Sequence, residues 1–431
     1  MKKAASYALG CKVNQVESEA IAEAFAERGY EIVDINEKAD VYVINTCTVT
    51  NFGDKKSRQL IRRVKRLNPD SVVVAVGCYA QTAPEDIKKI DGINIILGSK
   101  GKNEIVDCVE NYRREQGIEC NVGEIMHERQ FEPISVNKLA GRTRAYLKIQ
   151  DGCSQFCSYC IIPYARGPIR SRDEEDVLSE VRKLAENGFK EVVLTGIHVA
   201  SYGKDTKNTN LLQVIKKVHE IEGIERIRLS SIEPNIVTEE FASKMASLPK
   251  ACHHFHLSLQ SGCEKTLKEM NRKYTAEKYA QAAEILRKHM PDVALTTDII
   301  VGFPGETDED FEESYDFAKK IGFSKIHVFP YSPKRGTPAA ARKDQVSPQK
   351  KEERSAKLIA LSNKMADDFI QKFVGRKMPV LFEQSHESGK FEGHTSNYIN
   401  VTVETDKNIK NMILDTVIEC CKDEKAFGKL L

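Results

Sequence analysis

Cys153, Cys157 and Cys160 stand at C-x₃-C-x₂-C in the run Asp151-Gly152-Cys153-Ser154-Gln155-Phe156-Cys157-Ser158-Tyr159-Cys160. Residues 146–150 before them read as a strand and Pro163 follows, so the three thiols share one short loop at a strand end. Three thiolates so placed can hold three corners of an iron–sulfur cluster and leave the fourth iron open to a ligand. A structural zinc site would ask for a fourth Cys or His nearby to close its tetrahedron. None follows closely; the first His after Cys160 is His198.

A second set of three cysteines lies upstream. Cys11 in Leu-Gly-Cys, Cys47 in Asn-Thr-Cys and Cys78 in Val-Gly-Cys each end a strand-like run at a strand-to-loop junction. The runs 4–9, 31–35, 41–45, 72–76 and 93–97 alternate with helical stretches at 18–28, 55–67 and 103–115. That alternation predicts a parallel sheet with crossover helices, of flavodoxin-like plan. Open parallel sheets bind ligands outside their strand C-termini, so the three thiols can share a metal there. Three unrelated buried thiols are the alternative, since cysteine is often a core residue.

The chain has 431 residues, 41% apolar and 30% charged, enough for several domains with cores of their own. No apolar run reaches membrane-spanning length, and Met1-Lys2-Lys3-Ala4-Ala5 leads into a strand without a signal-peptide core. A cytoplasmic protein is expected, and no membrane partner. Twelve cysteines in that compartment argue for metal or redox chemistry over a disulfide framework. A net charge of +2 excludes no partner, so nucleic-acid contact must be sought in local charge. Residues 55–66 hold Lys55, Lys56, Arg58, Arg62, Arg63, Lys65 and Arg66 and no acid. On a helix, Arg58, Arg62 and Lys65 or Arg66 form one basic stripe suited to phosphates, or else a solvated face.

Residues 120–141 show no strong periodicity and read as a connector, ending in Gly-Arg-Thr-Arg at 141–144. Six strand-like runs follow at 145–150, 191–196, 226–231, 254–260, 293–301 and 325–331, separated by helical segments. They predict a partial (β/α)₆ barrel with its chemistry at the strand C-termini. His254 and His256 share one face of a strand opposite His253, which we read as structural and not as a metal site. After a helical stretch at 348–373, runs at 378–383, 398–403 and 411–419 alternate like a small β-barrel. The expected class is multidomain α/β: a flavodoxin-like domain over 1–118, a partial barrel over 139–370 and an OB-like barrel over 372–431.

The two triads together resemble the methylthiotransferase family of radical S-adenosylmethionine (AdoMet) enzymes. Leu-Gly-Cys-Lys-Val-Asn-Gln at 9–15, Asn-Thr-Cys-Thr-Val at 45–49 and Val-Gly-Cys-Tyr-Ala-Gln at 76–81 match its N-terminal cysteine motifs, and the central loop matches its radical core. The resemblance implies two 4Fe–4S clusters. One, at Cys11, Cys47 and Cys78, serves sulfur delivery; the other, at Cys153, Cys157 and Cys160, binds and cleaves AdoMet. It also implies AdoMet contacts at Gly302, Pro304 and Glu306 along the adenine, at Gln260 and Ser261 beside the ribose, and at Ser231 and Glu233, with Arg272 as a carboxylate partner. The second strand ends Leu-Thr-Gly-Ile-His-Val at 194–199 where many radical AdoMet enzymes have Gly-Gly-Glu, leaving the amino-group contact unassigned. Gly393-His394-Thr395-Ser396-Asn397-Tyr398 resembles the centre of the TRAM RNA-binding module, with Tyr398 or Phe391 as stacking faces. The ending Phe-Gly-Lys-Leu-Leu departs from that module's last strand, Cys420 and Cys421 have no counterpart, and Cys108 and Cys120 read as structural thiols.

By the same resemblance, one AdoMet methylates sulfur and another yields a 5′-deoxyadenosyl radical, so that a methylthio group replaces a hydrogen on carbon. Branches of the family act on isopentenyladenosine in tRNA, on an aspartate of a ribosomal protein, or on N6-threonylcarbamoyladenosine at tRNA position 37. The first usually reads Gly-Cys-Gln-Met-Asn at the first cysteine and the second Gly-Cys-Pro-Lys-Asn. Gly10-Cys11-Lys12-Val13-Asn14-Gln15 matches the third. A threonylcarbamoyl group carries a carboxylate, so a cation is expected in its pocket, with Arg142, Arg144, Arg166 and Arg170 as candidates. The expected partners are the tRNA anticodon loop and an electron donor such as flavodoxin or ferredoxin. Two rivals are another kind of radical AdoMet enzyme, which has no use for the N-terminal cysteines, and a non-catalytic metal protein that binds RNA.

Overall fold

The computed structural model of the chain describes residues 1–134, 143–386 and 389–431. Arg142 and the expected domain boundary at 139 lie outside the described residues. The first sheet contains β1 (Lys3–Ala8), β2 (Glu31–Ile32), β3 (Val41–Thr46), β4 (Val72–Gly77), β5 (Ile95–Leu97) and β6 (Glu119–Asn121). All pairs are parallel, in the order β2-β1-β3-β4-β5-β6. Every residue of β3 is buried because both faces are covered: Tyr42 and Ile44 enter one core, Val41 and Val43 the other. β2 shrinks to two exposed residues, and β6 is an edge strand whose Glu-Cys-Asn shows no alternation to read. Helix α1 (Lys12–Glu27) begins directly after Cys11, earlier than the expected start at 18, because Val13, Val16, Ala20 and Ile21 already supply its buried stripe. Helix α2 (Asn51–Leu67) is capped by the Thr50 hydroxyl.

The middle of the chain forms β7 (Arg144–Asp151), β8 (Arg170–Ser171), β9 (Glu191–Gly196), β10 (Arg226–Leu229), β11 (His254–His256), β12 (Ala294–Val301) and β13 (Lys325–Pro330). One sheet runs β10-β9-β7-β8 and another β11-β12-β13. Parallel bridges Ile227–Ala251 and Ile232–Leu257 join them. Six parallel strands therefore curve into the expected partial barrel, with β8 antiparallel beside β7. Leu147, Ile149, Val192, Leu194, Ile227 and Ile299 face the surrounding helices in one large core. The period of two then turns Arg144, Tyr146, Lys148 and Gln150 to the inner face, which is polar.

The last five strands, β14 (Lys377–His386), β15 (Lys390–Thr395), β16 (Asn400–Glu404), β17 (Ile413–Lys422) and β18 (Lys425–Leu430), close a barrel in the order β14-β15-β16-β18-β17. The third and fifth pair in parallel, as in an OB barrel. The ending that looked atypical in sequence forms strand β18. Phe391 is buried in this barrel's core and offers no stacking face, so that expectation is corrected. The barrel is fastened to the N-terminal ends of the core strands by guanidiniums. Arg226 donates to His394 O at 2.7 Å and Pro379 O at 2.9 Å, Arg228 to Ser396 O at 3.0 Å, and Arg144 pairs with Glu383 at 2.6 Å. Buried Glu191 sits among these guanidiniums and offsets part of their charge, meeting Arg228 at 2.6 Å. Burial alone would raise the Glu191 carboxyl, but Arg228, Arg144 and Arg226 outweigh it and hold its pKa at about 2. No helix among the described residues is long and apolar enough to cross a membrane.

Candidate active site

The central cysteine loop leaves β7 through Gly152, whose φ of +72° and contact with Pro168 O, 1.8 Å from where a Cβ would stand, exclude any other residue. Its return is fixed by Cys153 N donating to Gly167 O at 3.0 Å and Cys160 N to Cys157 O at 2.9 Å. The far side is held by Ser158 N to Met270 O at 3.0 Å and by Asn271 Nδ2 to Phe156 O at 2.9 Å. Arg272 donates to Cys157 Sγ at 3.2 Å and pairs with Glu233 at 3.0 Å. Glu233 also meets His198 Nε2 at 3.1 Å and accepts from Gln155 Nε2 at 3.3 Å. Thus Glu233 and Arg272 come together at the cysteine loop. His198 and Gln155 join them without having been singled out. His198 stands where the Gly-Gly-Glu would have been, and Gln150 Oε1 accepts from its backbone N–H at 2.7 Å.

Cys11, Cys47 and Cys78 follow β1, β3 and β4, three adjacent strands of the first sheet, so their thiols face a common space. A Cβ on Gly10, where φ is +93°, would stand 2.5 Å from Cys47 Sγ. The absent side chain is the room that lets Cys47 approach Cys11. Cys78 opens the short helix α3 (Cys78–Thr82), and Arg166 Nε donates to its Sγ at 3.2 Å. The same guanidinium reaches Asn14 Oδ1 at 2.6 Å, Glu17 Oε1 at 2.5 Å and Asp151 Oδ2 at 3.4 Å. Lys148 adds contacts to Glu17 at 2.8 Å and Asp151 at 2.7 Å. These side chains are buried, and their charges compensate one another. Burial would raise the Glu17 and Asp151 carboxyls, yet the neighbouring cations hold both well below the usual range. One ionic knot therefore joins the helix that starts at Cys11, the thiol of Cys78 and the strand that runs into Cys153.

The remaining sequence candidates spread along the barrel's rim. Gln260 lies just beyond β11 at φ +71° and bridges to Ile299, and Ser261 Oγ, buried, accepts from Cys263 N at 3.2 Å. Gly302 and buried Pro304 follow β12. Glu306 folds back on that turn, accepting from Gly302 N and pairing with Arg354 at 2.7 Å, so it holds the loop that carries the glycine. Burial pushes its carboxyl up to about 7 despite Arg354. Ser231 lines a cavity of about 510 Å³ enclosed by the inner faces of β10–β13, the C-terminal barrel and Lys12. Within it the Tyr398 ring stacks between His254 and His394, 4.6 Å from each, with Arg228 above at 4.6 Å. Tyr398 is thus an interface residue, not a free stacking face. His254 and His256 both share Thr296 Oγ1, at 3.1 and 3.0 Å. Among the described residues no three His, Cys, Asp or Glu side chains gather as one metal ion would need. A cubane cluster does not ask for that, since each thiolate binds a different iron.

The profile of the Radical SAM superfamily matches residues 147–318, and that of the uncharacterized protein family UPF0004 matches 3–98. A threonylcarbamoyladenosine tRNA methylthiotransferase MtaB from Bacillus subtilis is 46% identical over 93% of this chain and 90% of its own length. The chain belongs to the tRNA methylthiotransferases. The corresponding MtaB of Aquifex aeolicus is 39% identical over 95% of this methylthiotransferase and 99% of its own length. A tRNA-2-methylthio-N6-dimethylallyladenosine synthase of Acetivibrio thermocellus is 34% identical over 98% of the chain and 89% of its own. In solved structures, the radical AdoMet methyltransferase TsrM of Kitasatospora setae shares the fold, with a TM-score of 0.57 at 18% identity over 79% of this chain and 75% of that one.

As a radical AdoMet enzyme, the methylthiotransferase uses AdoMet and 4Fe–4S chemistry. The donor sets fit. Each triad is all-thiol, each has a guanidinium 3.2 Å from one sulfur, and Gly10 clears space beside the first. Burial pushes the Cys153 and Cys47 thiols up to about 11 and Cys160 to about 12, so each would have to release its proton as it took up a cationic metal.

Proposed function

We propose that this chain attaches a methylthio group to C2 of N6-threonylcarbamoyladenosine at position 37 of tRNA, working in the cytoplasm on the anticodon loop. The observation that carries the reading is the pair of thiol triads tied together through Arg166 and Asp151. The Gly10–Gln15 stretch and the similarity to threonylcarbamoyladenosine enzymes support this substrate over isopentenyladenosine. The working units are the N-terminal domain over 1–118, the barrel core over 139–370 and an RNA-binding TRAM barrel over 372–431.

In this reading Cys153, Cys157 and Cys160 hold one 4Fe–4S cluster, and Cys11, Cys47 and Cys78 a second. When bound, these groups supply reductive AdoMet cleavage to a 5′-deoxyadenosyl radical and a site for the transferred sulfur. The chain's own residues do the positioning. Arg272 and Glu233 stand over the central loop, where a guanidinium and a carboxylate can take the two charged ends of the methionine moiety. Gly302 and Pro304, steadied by Glu306, together with Gln260 and Ser261, form the rim for the adenosine. Ser231 continues it into the cavity. Electrons come from a donor such as flavodoxin or ferredoxin.

The test separates the triads. With Cys11, Cys47 and Cys78 changed to Ala, reconstituted protein should still form 5′-deoxyadenosine from AdoMet and reductant but no methylthio nucleoside. With Cys153, Cys157 and Cys160 changed, it should form neither. Methylthio product from the first variant would sink the two-triad reading.

A further inference from the structure

The carboxylate of a threonylcarbamoyl group needs a cation, and the arginines nearest the cysteine loop are spent. Arg144 pairs with Glu383 at 2.6 Å, and Arg166 is buried against Glu17. Arg170 donates to Arg166 O at 2.8 Å and Pro168 O at 3.1 Å, and its second nitrogen faces Asp151 at 3.5 Å. Inside the 510 Å³ cavity the accounting differs. Of its two carboxylates, Glu424 is paired with Lys325, and Asp298 lies 3.3 Å from His256 Nε2. Lys12, exposed at the edge of the cavity, makes no ion pair and no hydrogen bond among the described residues and lies over the face of Tyr146 at 5.6 Å. The lining also includes His254, Ser230 and Asn400, whose Nδ1, Oγ and Oδ1 atoms are shielded from solvent and have no partner among the described residues. Buried polar atoms are rarely left so, and a solvated ammonium beside them can exchange its water for an anionic ligand that brings donors and acceptors of its own.

We propose that Lys12 is the residue that selects the substrate, by binding the carboxylate of the amino-acid arm on N6 of the adenosine. This deepens the substrate reading above and rests on it. The arm also carries a hydroxyl and a urea-type linkage, which suit the polar side chains of His254, Ser230 and Asn400 in the cavity lining. Lys12 directly follows Cys11. C2 and C6 of adenine both flank N1, so an arm held from beside Cys11 keeps C2 turned toward the N-terminal thiols. An isopentenyl arm has no charge to pair with Lys12 and gains nothing from the ammonium at the edge of the cavity.

The experiment uses anticodon stem-loop RNAs carrying threonylcarbamoyladenosine, its methyl ester or isopentenyladenosine, with reconstituted parent, Lys12→Gln and Lys12→Arg proteins. Losing a charge-assisted bond costs about 10- to 100-fold in affinity. The parent should bind the free acid tighter than the ester by that factor. Lys12→Gln should bind both alike at the ester's level, and Lys12→Arg should recover much of the preference. Iron content equal to the parent's identifies folded variants, and the acid-against-ester comparison on the parent needs no variant at all. A parent indifferent to esterification, or a Lys12→Gln protein that keeps the preference, would overturn the inference. A parent that methylthiolates only the isopentenyl loop would overturn the substrate reading itself, and this inference with it.

Discussion

Arg166 shows how one side chain can serve two sites. It donates to Cys78, reaches Asp151 two positions before Cys153, and is the closest cation to buried Glu17. Lys148 and Lys102 also face Glu17, at 2.8 and 3.5 Å, but neither presents a planar fork of donors. Removing one member of a buried ionic group leaves the others uncompensated, typically at about 3–5 kcal/mol. Arg166→Gln should therefore lower the free energy of unfolding in urea by an amount of that order, and an unchanged value would show that the lysines suffice. Gly10 makes a sharper case, because its left-handed φ of +93° and the 2.5 Å approach of Cys47 Sγ act together. We expect Gly10→Ala to halve the iron of reconstituted protein from about eight per chain, the count for two cubanes. Gly29→Ala is the control: φ is +82° there, with nothing within 4 Å, so only the backbone cost applies. Equal iron in both variants would mean that Cys47 does not depend on the space beside Gly10.

At the scale of elements, the C-terminal barrel is docked through Glu191 and the arginines around it. The Glu191 pKa falls on folding, from an ordinary 4.5 to about 2. Its contribution is therefore full above 4.5 and lost as pH falls from 4.5 through 2, roughly 3 kcal/mol by linkage. Glu191→Gln should lower stability at neutral pH and narrow the gap to the parent as the solution is acidified through that window, as followed by thermal unfolding. A gap that widened on acidification would put the charge balance elsewhere. Helix α2 offers a second test. Arg58 donates to Tyr79 OH at 2.8 Å, whereas Arg62, Arg63 and Arg66 are exposed, with no ion pair among the described residues. Changing these three to Gln should weaken tRNA binding and reduce its log–log salt slope by about 0.7–0.9 for each phosphate left without a cation. An unaltered slope would return the stripe to a solvated surface.

Much of the site was legible because it is written in short linear motifs. Cysteine spacing and the Gly or Thr before each N-terminal cysteine announced the two triads, and strand periodicity announced the sheets that carry them. What stayed hidden depends on the meeting of distant elements. β6 is three residues long at an edge, too short to show a period. Arg144, Arg166 and Arg170 looked like free cations, since nothing in a local window says that Glu17, Glu191 and Glu383 will arrive to pair with them. Lys12 was visible as a residue, but its lack of a partner exists only where the first domain, the core and the last barrel enclose one cavity. In the proposed reading, the whole molecule is a frame that would bring two thiol triads and the Lys12 ammonium to a single nucleoside. The most direct test of that account is the mass spectrum of nucleosides from tRNA of a strain lacking this gene. The account predicts loss of the 2-methylthio derivative of N6-threonylcarbamoyladenosine, with the unmodified threonylcarbamoyl nucleoside accumulating and methylthio-isopentenyladenosine unaffected. Loss of the isopentenyl product with the threonylcarbamoyl product intact would contradict it.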